Sequence, residues 1–122
     1  PDALESFTAL RRLDVSSNGL IYVSPAVLLL PNLVWMNVHG NPVASELDWT
    51  GEMVAELPEL LRSTFEPTLE RFALRTNNLT SVPAWLGSTS ILDLRDNPLS
   101  EVGLPYAVLE GVDTLLFDGE CV

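Results

Sequence analysis

The stretch LERFALRTNNL, residues 69–79, contains a pattern that the rest of the chain repeats. Numbered from one to eleven, its positions 1, 4, 6 and 11 are apolar, and position 9 is asparagine. The same template fits LRRLDVSSNGL and LVWMNVHGNPV, and it fits TSILDLRDNPL except that Thr89 replaces the apolar residue at position 1. A fifth copy, VDTLLFDGECV, keeps the apolar positions but carries Glu120 at position 9. The chain is therefore expected to fold as five repeats, starting near Leu10, Leu33, Leu69, Thr89 and Val112.

Positions 4 and 6 of the template are two residues apart, so on a β-strand they point to the same face. One short strand cannot bury that apolar face alone, but stacked copies with parallel strands can. The predicted strands lie near Arg12–Val15, Trp35–Val38, Arg71–Leu74, Ile91–Leu94 and Thr114–Phe117. After each strand the chain must turn, and a buried asparagine can satisfy backbone groups that the turn leaves unpaired. This predicts a structural ladder of Asn18, Asn41, Asn77 and Asn97, interrupted at Glu120.

With its repeated L-x-x-L-x-L-x-x-N-x-L signature, the sequence resembles the leucine-rich repeat family over essentially its whole length. The resemblance implies an α/β fold and a single leucine-rich repeat domain over residues 1–122. In that family the repeats form a right-handed solenoid, here with about five parallel strands on the concave face and short helical or 3₁₀ segments on the convex side. Because the family commonly binds proteins or peptides with its concave sheet, non-catalytic binding is the expected function.

Prolines mark the expected convex segments. Pro25 favours a helix start, and Pro105 opens the last convex segment. The step from Leu69 to Thr89 is only 20 residues, so a tight or 3₁₀ segment is expected after Pro83. These segments should cover the back of the predicted sheet.

The step from Leu33 to Leu69 is 36 residues, which indicates an insert of about 13 residues near Ser45–Leu57. Its spacing resembles a helix start, with an apolar stripe that follows. Six acidic residues lie between Glu46 and Glu66, against one arginine. Two interpretations remain open: a solvated helix face, or a docking helix for a basic partner.

Composition restricts the function classes. The chain has 122 residues, 47% of them hydrophobic, and a net charge of −11, with six arginines and no lysine. We do not expect a chain this acidic to bind nucleic acid or anionic membranes, because both carry negative charge. Residues 19–38 lack formal charge, but Pro25, Pro31 and two asparagines interrupt them, so no membrane insertion by this segment is expected.

Catalytic, metal and cofactor sites are not expected. Cys121 is the only cysteine and His39 the only histidine, which leaves no basis for a disulfide or a multi-histidine metal site. Ser16 and Asp14 could lie near His39, but no nucleophile motif accompanies them. An enzyme therefore remains only the third hypothesis.

The arginines concentrate on the outward positions of the predicted strands, together with large apolar side chains. Arginine and tryptophan are enriched in binding hot spots. Arg75 and Arg95 should stand side by side, which favours an acidic partner. The predicted binding face comprises Arg12, Trp35, His39, Arg71, Arg75, Ile91 and Arg95.

The main alternative function is structural: spacer repeats inside a longer receptor ectodomain or kinase-linked protein. The chain starts in a convex segment and stops at position 11 of a repeat, so we expect a fragment that contacts neighbouring repeats of its parent. Asn78 begins an Asn-Leu-Thr glycosylation sequon, and the repeats resemble those of receptors. Both features lean towards a location outside the cell, although the sequence does not identify the compartment.

Overall fold

The computed structural model describes residues 9–66, 68–100 and 103–117. Over these residues the chain is a mixed α/β fold with parallel strands in two sheets. Strands β1 (Arg12–Asp14) and β2 (Trp35–Asn37) form one sheet. The second sheet has the order β3-β4-β5-β6 and consists of Glu46–Asp48, Arg71–Ala73, Ile91–Asp93 and Thr114–Leu116. The expected first convex turn before Ala9 and the last turn, with Glu120 and Cys121, lie outside the described residues.

All five predicted strands are present, and the pairs β1–β2, β4–β5 and β5–β6 have the predicted register, whereas the predicted pairing of β2 with β4 is wrong because β3 pairs with β4 instead. Arg71 pairs with Ile91, and Ile91 pairs with Thr114, so position 3 aligns across β4, β5 and β6. The alternation of side chains explains this result, because Phe72 and Leu92 are buried in the core while their neighbours face outward.

Short helices follow the prolines. Helix α1 (Pro25–Leu28) begins at Pro25, and the Ser24 hydroxyl accepts a hydrogen bond from the Ala26 amide. The segment after Pro83 is a 3₁₀ helix, Ala84–Ser88, as predicted, and α3 (Tyr106–Gly111) follows Pro105. Helix α2 (Glu59–Phe65), which follows Pro58, lies between α1 and this 3₁₀ helix in the chain, and its Leu61 and Phe65 are fully buried.

The predicted helical insert at residues 45–57 is wrong, because this segment contains β3 and the described residues therefore contain six strands, not five. Leu47 and Trp49 occupy template positions 4 and 6, and both are buried. Their period of two determines the local structure, whereas Glu52 stands where four of the other copies have the ladder asparagine. The helix of this region starts only at Glu59.

The same segment explains why the sheet is divided. The sixth copy of the template starts at Ala44, 11 residues after Leu33, whereas the other copies start at least 20 residues apart. A chain of 11 residues cannot form a strand, a turn and a convex return. The 3₁₀ helix Pro42–Ala44 instead leads straight into β3, and β2 and β3 do not pair among the described strands.

A group of four residues, termed the sheet junction, connects the two sheets: Tyr22, Val23, Trp49 and Glu52. The Trp49 indole N–H donates to the Val23 carbonyl oxygen at 2.7 Å, and the Tyr22 hydroxyl donates to Glu52 Oε2 at 2.6 Å. Trp49 is fully buried and packs edge-on against Phe72, with ring centroids 5.5 Å apart. The segment after β1 thus contacts the repeat of β3 directly.

The predicted ladder is present at three of its four positions. Asn77 Oδ1 accepts from the Glu52 and Val54 amides, and its Nδ2 donates to the Trp49 and Leu74 carbonyls. Asn41 and Asn97 also bridge neighbouring copies of the template. Asn18 is exposed, and its side chain bonds only within its own copy, so it ends the ladder.

A left-handed residue precedes each described ladder position. Template position 8 has a φ of 56° to 76° in all five described turns, at Ser17, Gly40, Gly51, Thr76 and Asp96. Only glycine adopts this conformation without strain. The fold therefore imposes one turn geometry on all these copies, irrespective of the residue present.

Candidate protein-binding face

The outward side chains of β3 to β6 form one continuous surface, termed the four-strand face: Glu46, Asp48, Arg71, Ala73, Ile91, Asp93, Thr114 and Leu116. Between them, the alternate residues Leu47, Phe72 and Leu92 are buried and fix the orientation of each strand. Of the predicted binding residues, Arg71 and Ile91 lie on this face. Arg75 and Arg95 lie two residues beyond the ends of β4 and β5.

Of the other predicted binding residues, Arg12 lies on β1, Trp35 on β2, and His39 two residues beyond the end of β2. These residues are therefore not on the sheet that carries Arg71 and Ile91, because β2 does not pair with a strand of the four-stranded sheet. The Arg12 guanidinium carbon lies 4.4 Å from the Trp35 ring centroid, so Arg12, rather than Arg71, stacks on this tryptophan.

His39 is exposed, and its surroundings do not form a catalytic triad among the described residues. Asp14 instead accepts a hydrogen bond from the Ser16 amide, and hydrogen bonds from Ser16 hold the pKa of Asp14 below its usual value. Asp14 thus serves to order its own turn.

A shallow depression lies at the centre of the four-strand face, because Ala73 is small where its neighbours are large. Its volume is about 350 Å³. Ile21, Ile91 and Leu116 line it with apolar surface, whereas Glu46, Asp48, Arg71 and Asp93 supply charge. Ile21 comes from the segment after β1 and is 78% exposed. Its position at the depression is set by the neighbouring residues Tyr22 and Val23, which belong to the sheet junction.

Most charged groups on the face are paired with each other. Arg71 Nε lies 3.5 Å from Glu46 Oε1. Arg95 binds Asp93 through two contacts, of 2.9 and 2.8 Å, and this hydrogen bonding lowers the pKa of the Asp93 carboxyl against the opposing effect of burial. The positive charge of Arg75 lowers that pKa further, yet Arg75 has no ion-pair partner among the described residues.

Several residues of this face could not be assigned from the sequence. The predicted insert assigns Glu46 and Asp48 to a helix. The alternation of the apolar residues Leu47 and Trp49 is instead a strand signal, and it places Glu46 and Asp48 on the opposite face of that strand. Ala73 and Leu116 lie on predicted strands, but only the register shows that they border one depression. No local sequence pattern predicts that Ile21 lines this depression.

The sequon residue Asn78 is exposed on the turn after β4, and its amide donates to the Val54 carbonyl.

No described helix is long and apolar enough to cross a membrane. Within the described residues, no three metal-binding side chains lie close enough to hold an ion.

In comparisons with known proteins, no family model matches the chain, and neither a curated protein nor a solved structure matches it.

Proposed function

We propose that the chain is a leucine-rich-repeat solenoid that binds a protein or peptide through the four-strand face and catalyses no reaction. Three features of the described residues support the solenoid: six copies of one template, parallel strands in each sheet, and asparagines that bridge successive copies. In this arrangement the four-strand face is the concave surface, and α2, the 3₁₀ helix Ala84–Ser88 and α3 form the convex side.

The observation that carries the binding proposal is a cation, Arg75, that has no ion-pair partner among the described residues and lies near a depression with apolar side chains in its lining. Arg75 follows Ala73 by two residues and therefore extends the same side of β4. A carboxylate of the partner would gain a bidentate contact with Arg75, and an adjacent apolar side chain would enter the depression between Ile91 and Leu116. Arg95 contributes less, because Asp93 already occupies its guanidinium.

Peptides selected from a random library for binding to the wild-type chain would test this proposal. We expect enrichment of sequences with an acidic residue next to an apolar one. Arg75→Ala should weaken their binding more than about tenfold, or roughly 1.4 kcal/mol. Arg62→Ala removes the same charge from α2, away from the face, and should leave the affinity unchanged.

Two results would contradict the proposed face. One is peptide binding that survives both Arg75→Ala and the filling substitution Ala73→Leu. The other is equal loss of binding in Arg75→Ala and Arg62→Ala, which would indicate only a general charge effect.

A second candidate function is structural. In this case the domain is a spacer between neighbouring repeats of a longer parent chain, and the four-strand face binds no partner. The self-pairing of Arg12, Arg71 and Arg95 favours it, because these side chains are already satisfied within the chain. Failure of the library to yield any peptide that competes at the four-strand face would support the spacer over the binding module.

A further inference from the structure

A groove separate from the four-strand face lies where α1 meets the turn after β3 and the entry to α2; its smaller part, between Leu29 and Met53, is mainly apolar, and its larger part is mixed. One part of it encloses about 280 Å³, and an adjoining part, which shares Leu29, Ala55, Glu56 and Pro58, encloses about 580 Å³. The groove is termed the Leu29–Met53 groove and is defined by Pro25, Leu29, Glu52, Met53, Glu56 and Pro58.

Two large apolar side chains of this groove are exposed to water. Leu29 is 63% exposed and Met53 is 80% exposed, although they line the same depression. Met53 also has a left-handed backbone, with a φ of 59°. The first copy of the template has Gly19 at the equivalent position, with a φ of 70°. Methionine at this turn therefore strains the backbone and buries little surface, so folding alone does not account for it.

The charge of the groove determines which partner fits it. Glu52, Glu56 and Glu59 are the charged residues along its two parts, and no arginine lines either part. Glu52 accepts the Tyr22 hydrogen bond, whereas Glu56 and Glu59 are exposed and have no ion-pair partner among the described residues. A second copy of this chain, with its net charge of −11, would be repelled.

We propose that the Leu29–Met53 groove docks a basic, apolar peptide segment of a partner protein. An apolar side chain of that segment packs between Leu29 and Met53, where the flexible thioether adapts to its shape. Flanking lysine or arginine side chains pair with Glu56 and Glu59. This site uses no residue of the four-strand face. Its test can therefore fail or succeed irrespective of the function proposed above.

Methionine-methyl NMR offers a direct test, because the chain has only two methionines. Met53 lies in the groove, while Met36 is 6% exposed in the core and serves as an internal control. The probe is a synthetic peptide of alternating leucine and arginine. We expect it to shift the Met53 methyl resonance in a saturable way and to leave Met36 in place. Versions with glutamate for arginine, or serine for leucine, should bind at least tenfold more weakly.

Substitutions on the protein locate the site. Leu29→Ser, and separately Glu56→Gln with Glu59→Gln, should each weaken binding of the leucine–arginine peptide about tenfold. Leu109→Ser is the matched control, because Leu109 is 50% exposed on α3, outside the groove. Three results would overturn the proposal: no shift of Met53, equal binding of the serine version, or equal effects of Leu29→Ser and Leu109→Ser. The last two would indicate charge attraction without a groove.

Discussion

The side chain of Asn77 makes hydrogen bonds to two adjacent copies of the template. It accepts from two amides of the turn after β3 and donates to the carbonyls of Trp49 and Leu74, and it is 6% exposed. Water cannot replace these bonds when the side chain is removed. This residue could be assigned from the sequence alone, because position 9 recurs at fixed spacing from the apolar positions.

Asn77→Ala should therefore lower the free energy of unfolding by about 2–3 kcal/mol, since several buried backbone groups lose their partners. Asn18→Ala is the matched control. Asn18 is exposed and bonds only to the Val15 and Ser16 carbonyls, so its loss should cost no more than about 0.5 kcal/mol. Chemical denaturation of both variants checks this prediction, and similar midpoints for the two would contradict the buried ladder.

Among the elements, β4, β5 and β6 are predictable from the sequence, whereas β3 is not. Strands β4, β5 and β6 were predicted with their register, because a period of two is a local signal. Strand β3 departs from the template, because Glu52 replaces the asparagine and no convex segment precedes the strand. The division of the sheet, and with it the separation of Trp35 from Arg71, follows from the short step after Leu33. The neighbours of Ile21 depend on this long-range packing, so no local pattern could reveal them.

The sheet junction should make stability depend on alkaline pH. Burial, with the hydrogen bond to Glu52 as the next cause, raises the pKa of Tyr22 from 10.0 to about 12. Between pH 10 and pH 12 the folded state retains a proton that the unfolded state loses, so stability falls as the pH rises through this window. The chain has no lysine that would titrate there as well.

Unfolding midpoints measured at several values between pH 9 and pH 12 check this dependence. Tyr22→Phe should make the decline shallower, because it removes the shifted group. Tyr106→Phe is the control, since that side chain is 73% exposed on α3 and is absent from the sheet junction. Identical slopes for the wild type and Tyr22→Phe would count against the hydrogen bond between Tyr22 and Glu52.

For the whole molecule, the division into two sheets decides which side chains can act together. Arg71, Ala73, Ile91 and Leu116 share one surface, whereas Trp35 and Arg12 lie on another sheet. The same division brings α1 against the turn after β3 and so creates the Leu29–Met53 groove. Both proposed sites therefore depend on residues 44–54 forming a copy of the template rather than an inserted helix.

The pattern of short proton–proton distances across this segment, measured by NMR, tests that claim most directly. We expect interstrand contacts of a parallel pair between Glu46–Asp48 and Arg71–Ala73, with none between Glu46–Asp48 and Trp35–Asn37. Helical contacts between residues three apart over 46–57, together with direct pairing of Trp35–Asn37 to Arg71–Ala73, would contradict it.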